Sequence, residues 1–288
     1  MENRMKNLTD IGQVRAALER NGIKLSKGMG QNFLINPSVC PRMAEQAGID
    51  DRTGVLEIGP GIGVLTVELA KRARKVVAVE LDTRLEKLLG ENLSPYPNAE
   101  VVWGDVMEID LPALFRDKFA GCDKIAVCAN LPYYITSPII MMLLESRLPI
   151  ESITVMVQKE AADRMCAKVG SRASGAVTVA VWYYSEPEIL FKVSAGSFLP
   201  PPKVDSAVMR LAVRSQPQYD VGDEERFRAL VKAGFSQRRK TLINAVSSDR
   251  RFSKDAIASA LEAMGIEQNA RIEQLTMEQL AELSRRLG

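Results

Sequence analysis

The chain has 288 residues and a formal net charge of +2 at pH 7, with 46% hydrophobic and 26% charged residues. That length accommodates one substantial core and a smaller second domain. The chain contains no histidine, and its four cysteines, Cys40, Cys122, Cys128 and Cys166, form no C-x-x-C pair, so the composition argues against a zinc site and against a histidine-based triad.

The first predicted element is a helix near the N-terminus. It extends from about Ile11 to Arg20, with Thr9 and Asp10 as candidate caps and Asn21-Gly22 as its end. The stretch Gly30-Gln31-Asn32-Phe33-Leu34 follows as a loop. This region is polar and has no apolar run long enough for a signal peptide or a membrane span, so we expect a cytosolic protein.

A glycine-rich turn follows the first predicted strand. The apolar run from Val55 to Ile58 breaks into the three glycines of Gly59 to Gly63 and resumes as Val64 to Ala70, which predicts strand, tight turn and helix. Glycines at such a turn allow positive φ and a close approach of the backbone to a ligand. The spacing is G-x-G-x-G, and an acid, Glu57, lies two positions before the first glycine. Both features favour S-adenosylmethionine over a dinucleotide.

Acids end the next two predicted strands. Lys75 to Val79 leads into Glu80, 21 positions after the first glycine (80 − 59), where a carboxylate can accept from both ribose hydroxyls of a nucleoside. Ala99 to Trp103 leads to Asp105, which can accept from an adenine amino group. Either acid alone also fits a solvated residue at a strand end.

The fourth predicted strand, Ile125 to Ala129, should bury Cys128 and ends in the tetrapeptide Asn130-Leu131-Pro132-Tyr133. An exocyclic amine of a nucleobase is a poor nucleophile, because its lone pair is delocalised into the ring. The Asn130 oxygen and a backbone carbonyl can accept hydrogen bonds from that amine, while the aromatic residue stacks on the base. By itself the tetrapeptide also fits a strand that ends in a proline turn. All four strand ends would meet at the edge where open α/β sheets bind ligands.

The remainder of the chain predicts further strands and then helices. Ile153 to Val157 is a fifth strand, and Glu188 to Val193 and Ser206 to Leu211 are interpreted as a final antiparallel pair around a proline-rich loop. Ser215 to Gln218 predicts a linker. Helices are expected near Glu224 to Phe235, Ser253 to Met264 and Thr276 to Leu287, the last beginning with the capping box Thr276-Met277-Glu278-Gln279.

Five segments resemble the signature segments of the ribosomal RNA adenine N(6)-dimethyltransferases, and the bacterial 16S type is the nearest match. The resemblance extends from about Leu25 to the C-terminus. The chain departs from the family pattern at Gly28-Met29 and at Gly234, where alanine is more common, and neither position is an expected contact. The segments are Gly30 to Leu34, Glu57 to Gly63, Asn130 to Ile139, Phe198 to Ser206 and Phe235 to Leu242.

The resemblance implies an α/β fold with two domains. A Rossmann-like S-adenosylmethionine-dependent methyltransferase sheet would occupy residues 1–214, and a smaller all-helical RNA-binding domain would occupy residues 215–288. The catalytic residues would be Asn130, Leu131, Pro132 and Tyr133, with Phe198 as the opposing face for the base. The expected cofactor contacts are Gln31, Asn32, Leu34, Gly59, Gly61, Glu80, Leu81, Asp105, Val106 and Asn130.

The implied reaction is dimethylation of the exocyclic amine of two adjacent adenosines in a hairpin near the 3′ end of 16S rRNA. The partner would be that RNA within the small ribosomal subunit or its precursor, and we expect a monomer with no metal and no membrane attachment. Dimethylation rests on the resemblance alone, because the sequence does not show room for a second methyl group.

Two alternatives remain open. One is a 23S rRNA adenine methyltransferase of the antibiotic-resistance type, against which the segments Phe198 to Ser206 and Gln237 to Thr241 argue. The other is a non-catalytic RNA-binding assembly factor, against which the intact tetrapeptide Asn130 to Tyr133 and the complete set of cofactor residues argue.

Basic residues are concentrated early in the predicted second domain. Six of them fall within the fifteen positions from Arg226 to Lys240, with no acid between them. Such a cluster can follow a phosphate backbone, although a solvated helix face has the same composition. The expected RNA contacts are Arg238, Arg239, Lys240 and Lys203.

Overall fold

The computed structural model describes residues 7–23 and 32–288, which form two compact units. The first unit contains the described residues up to Ala162 together with Glu188–Val213, and the second contains Asp163–Pro187 together with Arg214–Gly288. The sequence predicted a single boundary after residue 214. Asp163–Pro187 groups instead with the C-terminal helices because its aromatic residues pack there, and the ring of Tyr183 lies 5.2 Å from that of Phe227.

Seven strands form a mixed sheet. The strands of the described chain are β1 (Phe33–Leu34), β2 (Thr53–Ile58), β3 (Lys75–Glu80), β4 (Ala99–Trp103), β5 (Lys124–Asn130), β6 (Ile150–Gln158), β7 (Ser185–Val193), β8 (Phe198–Leu199) and β9 (Ser206–Val213). The sheet order is β4-β3-β2-β5-β6-β9-β7. The pairs from β4 to β6 are parallel and β9 is antiparallel to β6. This is the expected Rossmann-like arrangement, and the two late strands are neighbours.

The order of the parallel strands locates the ligand edge. From β2 the chain moves to β3 and β4 on one side, and it returns to β5 and β6 on the other. The crevice at the carboxyl ends of β2 and β5 is therefore the topological switch point, where open α/β sheets bind ligands. All six residues of β2 are buried, as are five of the seven residues of β5, among them Cys128.

Helices flank the sheet and form most of the second unit. The N-terminal helix has the predicted bounds because Asp10 accepts a hydrogen bond from the Gln13 N–H at 2.8 Å. The helices are α1 (Ile11–Arg20), α2 (Val39–Gln46), α3 (Val64–Ala70), α4 (Glu86–Leu93), α5 (Leu111–Lys118), α6 (Thr136–Glu145), α7 (Lys159–Met165), α8 (Ala176–Tyr184), α9 (Glu224–Ser236), α10 (Leu242–Val246), α11 (Lys254–Ala263) and α12 (Met277–Arg286).

The segment predicted as a loop after α1 contains a short strand. Phe33 and Leu34 form β1, which pairs antiparallel with β8 so that Leu34 lies opposite Phe198. All three side chains are buried. Two residues are too short a run for a periodic signal, so this strand depends on its distant partner.

The second unit is helical, as expected. The capping box that begins α12 is present, with the Gln279 N–H donating to the Thr276 hydroxyl at 3.3 Å and the Thr276 N–H donating to the Gln279 side chain at 3.0 Å. The sequence did not predict α8 or the five-residue helix α10. No helix in residues 7–23 or 32–288 has the length and apolar character needed to cross a membrane.

Candidate active site

The glycine turn lies at the carboxyl end of β2 and begins α3. Gly59, Gly61 and Gly63 have φ angles of 70°, 58° and 89°, a region that disfavours residues with a Cβ. A Cβ at Gly61 would also lie 3.2 Å from the ring of Phe33. The turn therefore requires glycine at this position for both its backbone angle and its space.

Glu80 lies beside this turn and is held by backbone donors. The Gly61 N–H donates to Oε2 at 3.0 Å, and the Asp82 N–H donates to Oε1 at 2.8 Å. The side chain is 7% exposed, and its burial raises the pKa of the carboxyl group. Each oxygen has a second lone pair, so the fixed carboxylate can still accept hydrogen bonds from ligand hydroxyls.

The next strand ends supply a second carboxylate and two apolar side chains to the same cavity. Asp105 follows β4, and its Oδ1 accepts from the Met107 N–H at 2.9 Å. Val106 is buried, whereas Leu81 is 51% exposed. All three line the cavity, where apolar side chains beside a carboxylate suit a heterocycle that bears an amino group.

The tetrapeptide that begins with the last residue of β5 forms one wall of this cavity. Within the described chain, the Asn130 side chain has no hydrogen-bond partner, although it lines the cavity with Leu131, Pro132 and Tyr133. The Leu131 N–H donates to the Met156 carbonyl of β6 at 3.1 Å. That bond anchors the wall to the sheet and leaves the amide of Asn130 facing a ligand-sized space.

The Pro132 carbonyl is already engaged. It accepts from the Ile135 N–H at 3.2 Å and from the Thr136 hydroxyl at 3.1 Å. A carbonyl oxygen has two lone pairs, so these two bonds use its capacity. Of the Leu131 and Pro132 carbonyls in the tetrapeptide, that of Leu131 is therefore the one left to accept from an amine.

The two aromatic residues expected to hold a base occupy different environments. The Tyr133 hydroxyl lies 2.6 Å from the Ser206 hydroxyl, and burial raises the pKa of the phenol. Phe198 is 2% exposed and packs in the core with Leu34 and Cys40. Both rings line the cavity, but Phe198 also anchors the short strand pair.

A further carboxylate was noted in the sequence but left out of the predicted site. Glu57 lines the cavity, is 1% exposed, and its Oε2 has no hydrogen-bond partner. Burial raises its pKa to about 8. An unpartnered buried oxygen at a cavity wall suits a ligand that carries a hydrogen-bond donor, and the acid before the first glycine was its signal in the sequence.

One cavity thus brings together nearly all of the predicted catalytic and cofactor residues. Gln31 lies outside the described residues. The lining includes Asn32, Leu34, Gly59, Gly61, Glu80, Leu81, Asp105, Val106, Asn130, Leu131, Pro132, Tyr133 and Phe198, and also Tyr134, which the sequence did not single out. Over the described ranges, no group of three or more Cys, Asp or Glu side chains is arranged to hold a metal ion.

The predicted RNA-binding residues do not line this cavity, and their side chains are exposed. Lys203 follows the prolines of the first unit, and Arg238, Arg239 and Lys240 link α9 to α10 in the second unit. Arg226, at the start of the same basic run, instead donates to the Leu287 carbonyl and lies over a phenylalanine ring. Arg226 is therefore a structural residue of the helical unit.

The chain matches one protein family over most of its length. The family described as "Ribosomal RNA adenine dimethylase" matches residues 22–288. The protein named "Ribosomal RNA small subunit methyltransferase A" of Geobacillus thermodenitrificans is 46% identical over 285 residues, covering 98% of this chain and 97% of that protein. Its namesake in Bacillus licheniformis is also 46% identical, with 98% of each chain covered.

Two solved structures superpose on most of this chain. The 23S rRNA methyltransferase ErmE superposes with a TM-score of 0.68 at 35% identity, covering 89% of this chain and 99% of that one. A dimethyladenosine transferase from Plasmodium falciparum superposes with a TM-score of 0.70 at 28% identity, covering 87% of this chain and 95% of that one.

Proposed function

The chain belongs to the ribosomal RNA adenine dimethylase family, and we propose that it uses S-adenosylmethionine to dimethylate the exocyclic amine of two adjacent adenosines near the 3′ end of 16S rRNA. The observation that carries this proposal is the cavity wall at Asn130. Asn130 and Leu131 are adjacent in the wall of the cavity that the glycine turn also lines, and they would offer an amide oxygen and a backbone carbonyl as acceptors. Such a pair of acceptors suits an amine with two hydrogens.

The residues around the glycine turn fit the cofactor. Glu80 would accept from the ribose hydroxyls and Asp105 from the adenine amine, with Leu81 and Val106 against the ring. The unpartnered oxygen of Glu57 suits the amine of the amino-acid portion. When bound, S-adenosylmethionine supplies an electrophilic methyl group on a sulfonium that departs as a neutral thioether.

The protein's own contribution is to hold and polarise the target amine. Asn130 and the Leu131 carbonyl accept from its two hydrogens and keep the lone pair directed at the methyl carbon. Positive charge would grow on the nitrogen as it takes up the methyl group, and the same two acceptors would stabilise that charge. The charged amine then loses a proton to solvent, which restores a neutral monomethylated amine.

The aromatic residues hold the base itself. Tyr133, fixed by its bond to Ser206, would stack on the flipped-out adenine, and Phe198 would contact the opposite face. Stacking on an aromatic ring contributes about 1–3 kcal/mol per base, which offsets much of the cost of unstacking. The RNA backbone would contact Arg238, Arg239, Lys240 and Lys203, which are exposed.

A second candidate is methylation of 23S rRNA, favoured by the structural match to ErmE at 35% identity. The higher identity and wider coverage of the small-subunit relatives support the 16S substrate over it. A non-catalytic assembly factor is the third candidate, and the complete acceptor set at Asn130 and Leu131 argues against it.

The test is methyl transfer from labelled cofactor to small and large subunits that lack the modification. We expect label in the small subunit, recovered as N6,N6-dimethyladenosine. Label in large-subunit RNA would favour the 23S reaction instead. Binding of the small subunit without transfer, in protein that binds the cofactor, would support the assembly factor.

A further inference from the structure

Two exposed apolar side chains, Leu81 and Tyr134, line the cavity. Within the described residues, the large hydrophobic side chains that are exposed are Ile11, Leu81, Met107 and Tyr134. Leu81 and Tyr134 line the cavity, and Met107 is two residues beyond Asp105. A single exposed apolar residue needs no explanation, but two of these four line the same cavity. Tyr134 is the most exposed of them, at 62%.

Tyr134 and its neighbour Tyr133 have different environments. The Tyr133 hydroxyl is fixed to Ser206 at 2.6 Å, which holds its ring half-buried inside the cavity. The Tyr134 hydroxyl makes no hydrogen bond in the described part of the chain, and most of its ring faces solvent. Two adjacent aromatic residues thus offer one surface within the cavity and one at its mouth.

The backbone that carries Tyr134 is held on both sides. The Leu131 N–H bonds to the Met156 carbonyl of the sheet, and the Ile135 N–H bonds back to the Pro132 carbonyl. The Thr136 hydroxyl donates to the same carbonyl as α6 begins. A rigid aromatic on a fixed backbone loses little conformational entropy when it binds a ligand.

We propose that Tyr134 stacks on the nucleobase adjacent to the adenosine that enters the cavity. This inference rests on the proposed function, in which two adjacent adenosines are substrates in turn. An RNA strand that delivers one base to Asn130 must pass the opening of the cavity. Flipping that base out of the RNA removes a stacking partner from the neighbouring base. The ring of Tyr134 at the mouth of the cavity replaces that partner.

The inference is tested with Tyr134→Ala and Tyr134→Phe, with Ile11→Ala as the control, since Ile11 is also exposed and apolar but belongs to α1. From the energy of base–aromatic stacking we expect Tyr134→Ala to raise KM for the small subunit by about 5- to 150-fold. Tyr134→Phe should stay close to wild type, as should Ile11→Ala. Calorimetric affinity for S-adenosylmethionine should be unchanged in all three.

A second substrate identifies the stacking partner. An RNA hairpin with an abasic site beside the target adenosine lacks the neighbouring base, so Tyr134→Ala should have little further effect on it. An equal loss on the intact and abasic hairpins would overturn the assignment, as would a matching loss of cofactor affinity or a KM unchanged by Tyr134→Ala. A wild-type protein that methylates neither hairpin nor small subunit would overturn the proposed function, and the stacking assignment with it.

Discussion

The Glu80 carboxylate accepts a hydrogen bond from the Gly61 backbone N–H at 3.0 Å. The acid at the end of β3 therefore fixes the glycine turn at the end of β2, in addition to facing the cavity. Since its other oxygen accepts from the Asp82 N–H at 2.8 Å, the carboxylate is oriented before any ligand binds. Removing the carboxylate should therefore affect both cofactor binding and the glycine turn.

Replacing Glu80 with alanine should weaken cofactor binding by a few kcal/mol, on the order of 1.5–3 for each charged hydrogen bond that the variant cannot form. The glycine turn loses its anchor at the same time, so the effect should exceed that of Glu80→Gln, which keeps one acceptor oxygen. Calorimetric titration with S-adenosylmethionine measures both. Glu108→Ala removes an exposed acid that does not line the cavity and serves as the control. An affinity within error of wild type for Glu80→Ala would remove this residue from the site.

Replacing Asn130 with alanine should depress turnover far more than RNA affinity. If the amide stabilises charge that develops only during transfer, the rate should fall by about 10²–10³. Single-turnover methylation at saturating cofactor and RNA isolates the chemical step, which matters because Asn130 is also an expected cofactor contact. A wild-type single-turnover rate would exclude the catalytic role.

Replacing Arg238, Arg239 and Lys240 together with alanine should weaken binding to the small subunit and flatten its salt dependence. Removing one basic side chain from a phosphate lowers the log–log slope by about 0.7–0.9. The matched control replaces Lys71, Arg72 and Arg116, three exposed basic residues of the first unit. Cofactor affinity should not change. If the salt slope of the folded triple variant equals that of wild type, the RNA surface lies elsewhere, and the segment with Lys24 and Lys27, outside the described residues, is the next candidate.

The burial of Glu57 should make the free energy of unfolding fall as pH rises. Burial raises its pKa from 4.5 to about 8, so between these values the folded state holds a proton that the unfolded state has released. The free energy of unfolding should therefore decrease across this window, by up to about 1.4 kcal/mol per pH unit from this group. Glu57→Gln removes that contribution. Urea unfolding of both proteins from pH 5 to 9 should show the variant gaining relative stability up to pH 8, and parallel curves would contradict the prediction.

Gly234 should accommodate alanine poorly, because a Cβ at this position would meet the side chain of Ile272. Alanine favours a helix interior by about 1 kcal/mol, but a Cβ at Gly234 would lie 2.0 Å from Cδ1 and 3.1 Å from Cγ1 of Ile272. Overpacking of this kind costs about 1–3 kcal/mol, so Gly234→Ala should lower stability. Ile272→Val removes Cδ1, and the double variant should be more stable than the sum of the two single effects predicts. Strict additivity would exclude the contact.

Much of the site could be predicted because it depends on local signals at strand ends. An apolar run leads directly into each of three site segments, which are Gly59 to Gly63, Glu80 and Asn130. Parallel topology brings the ends of such runs to one edge of a sheet. Helix α1 began where Asp10 predicted and α12 where Thr276 did, because a cap is a contact within four residues. The strand ends and the helix caps can be predicted from the sequence because each depends on residues that are neighbours along the chain.

Other features depend on contacts between distant residues, and only the tertiary structure decided them. Leu34 lies opposite Phe198, 164 positions away (198 − 34), so the strand that turns the N-terminal segment toward the cavity has no local signal. Tyr133 is half-buried with its hydroxyl 2.6 Å from that of Ser206, whereas the adjacent Tyr134 is exposed, and neither the hydroxyl contact nor the exposure could be predicted from the sequence. The sequence by itself determined which residue types reach the cavity edge. Their orientation and hydrogen bonds were decided by tertiary packing, since a side chain takes the direction that its folded neighbours leave open.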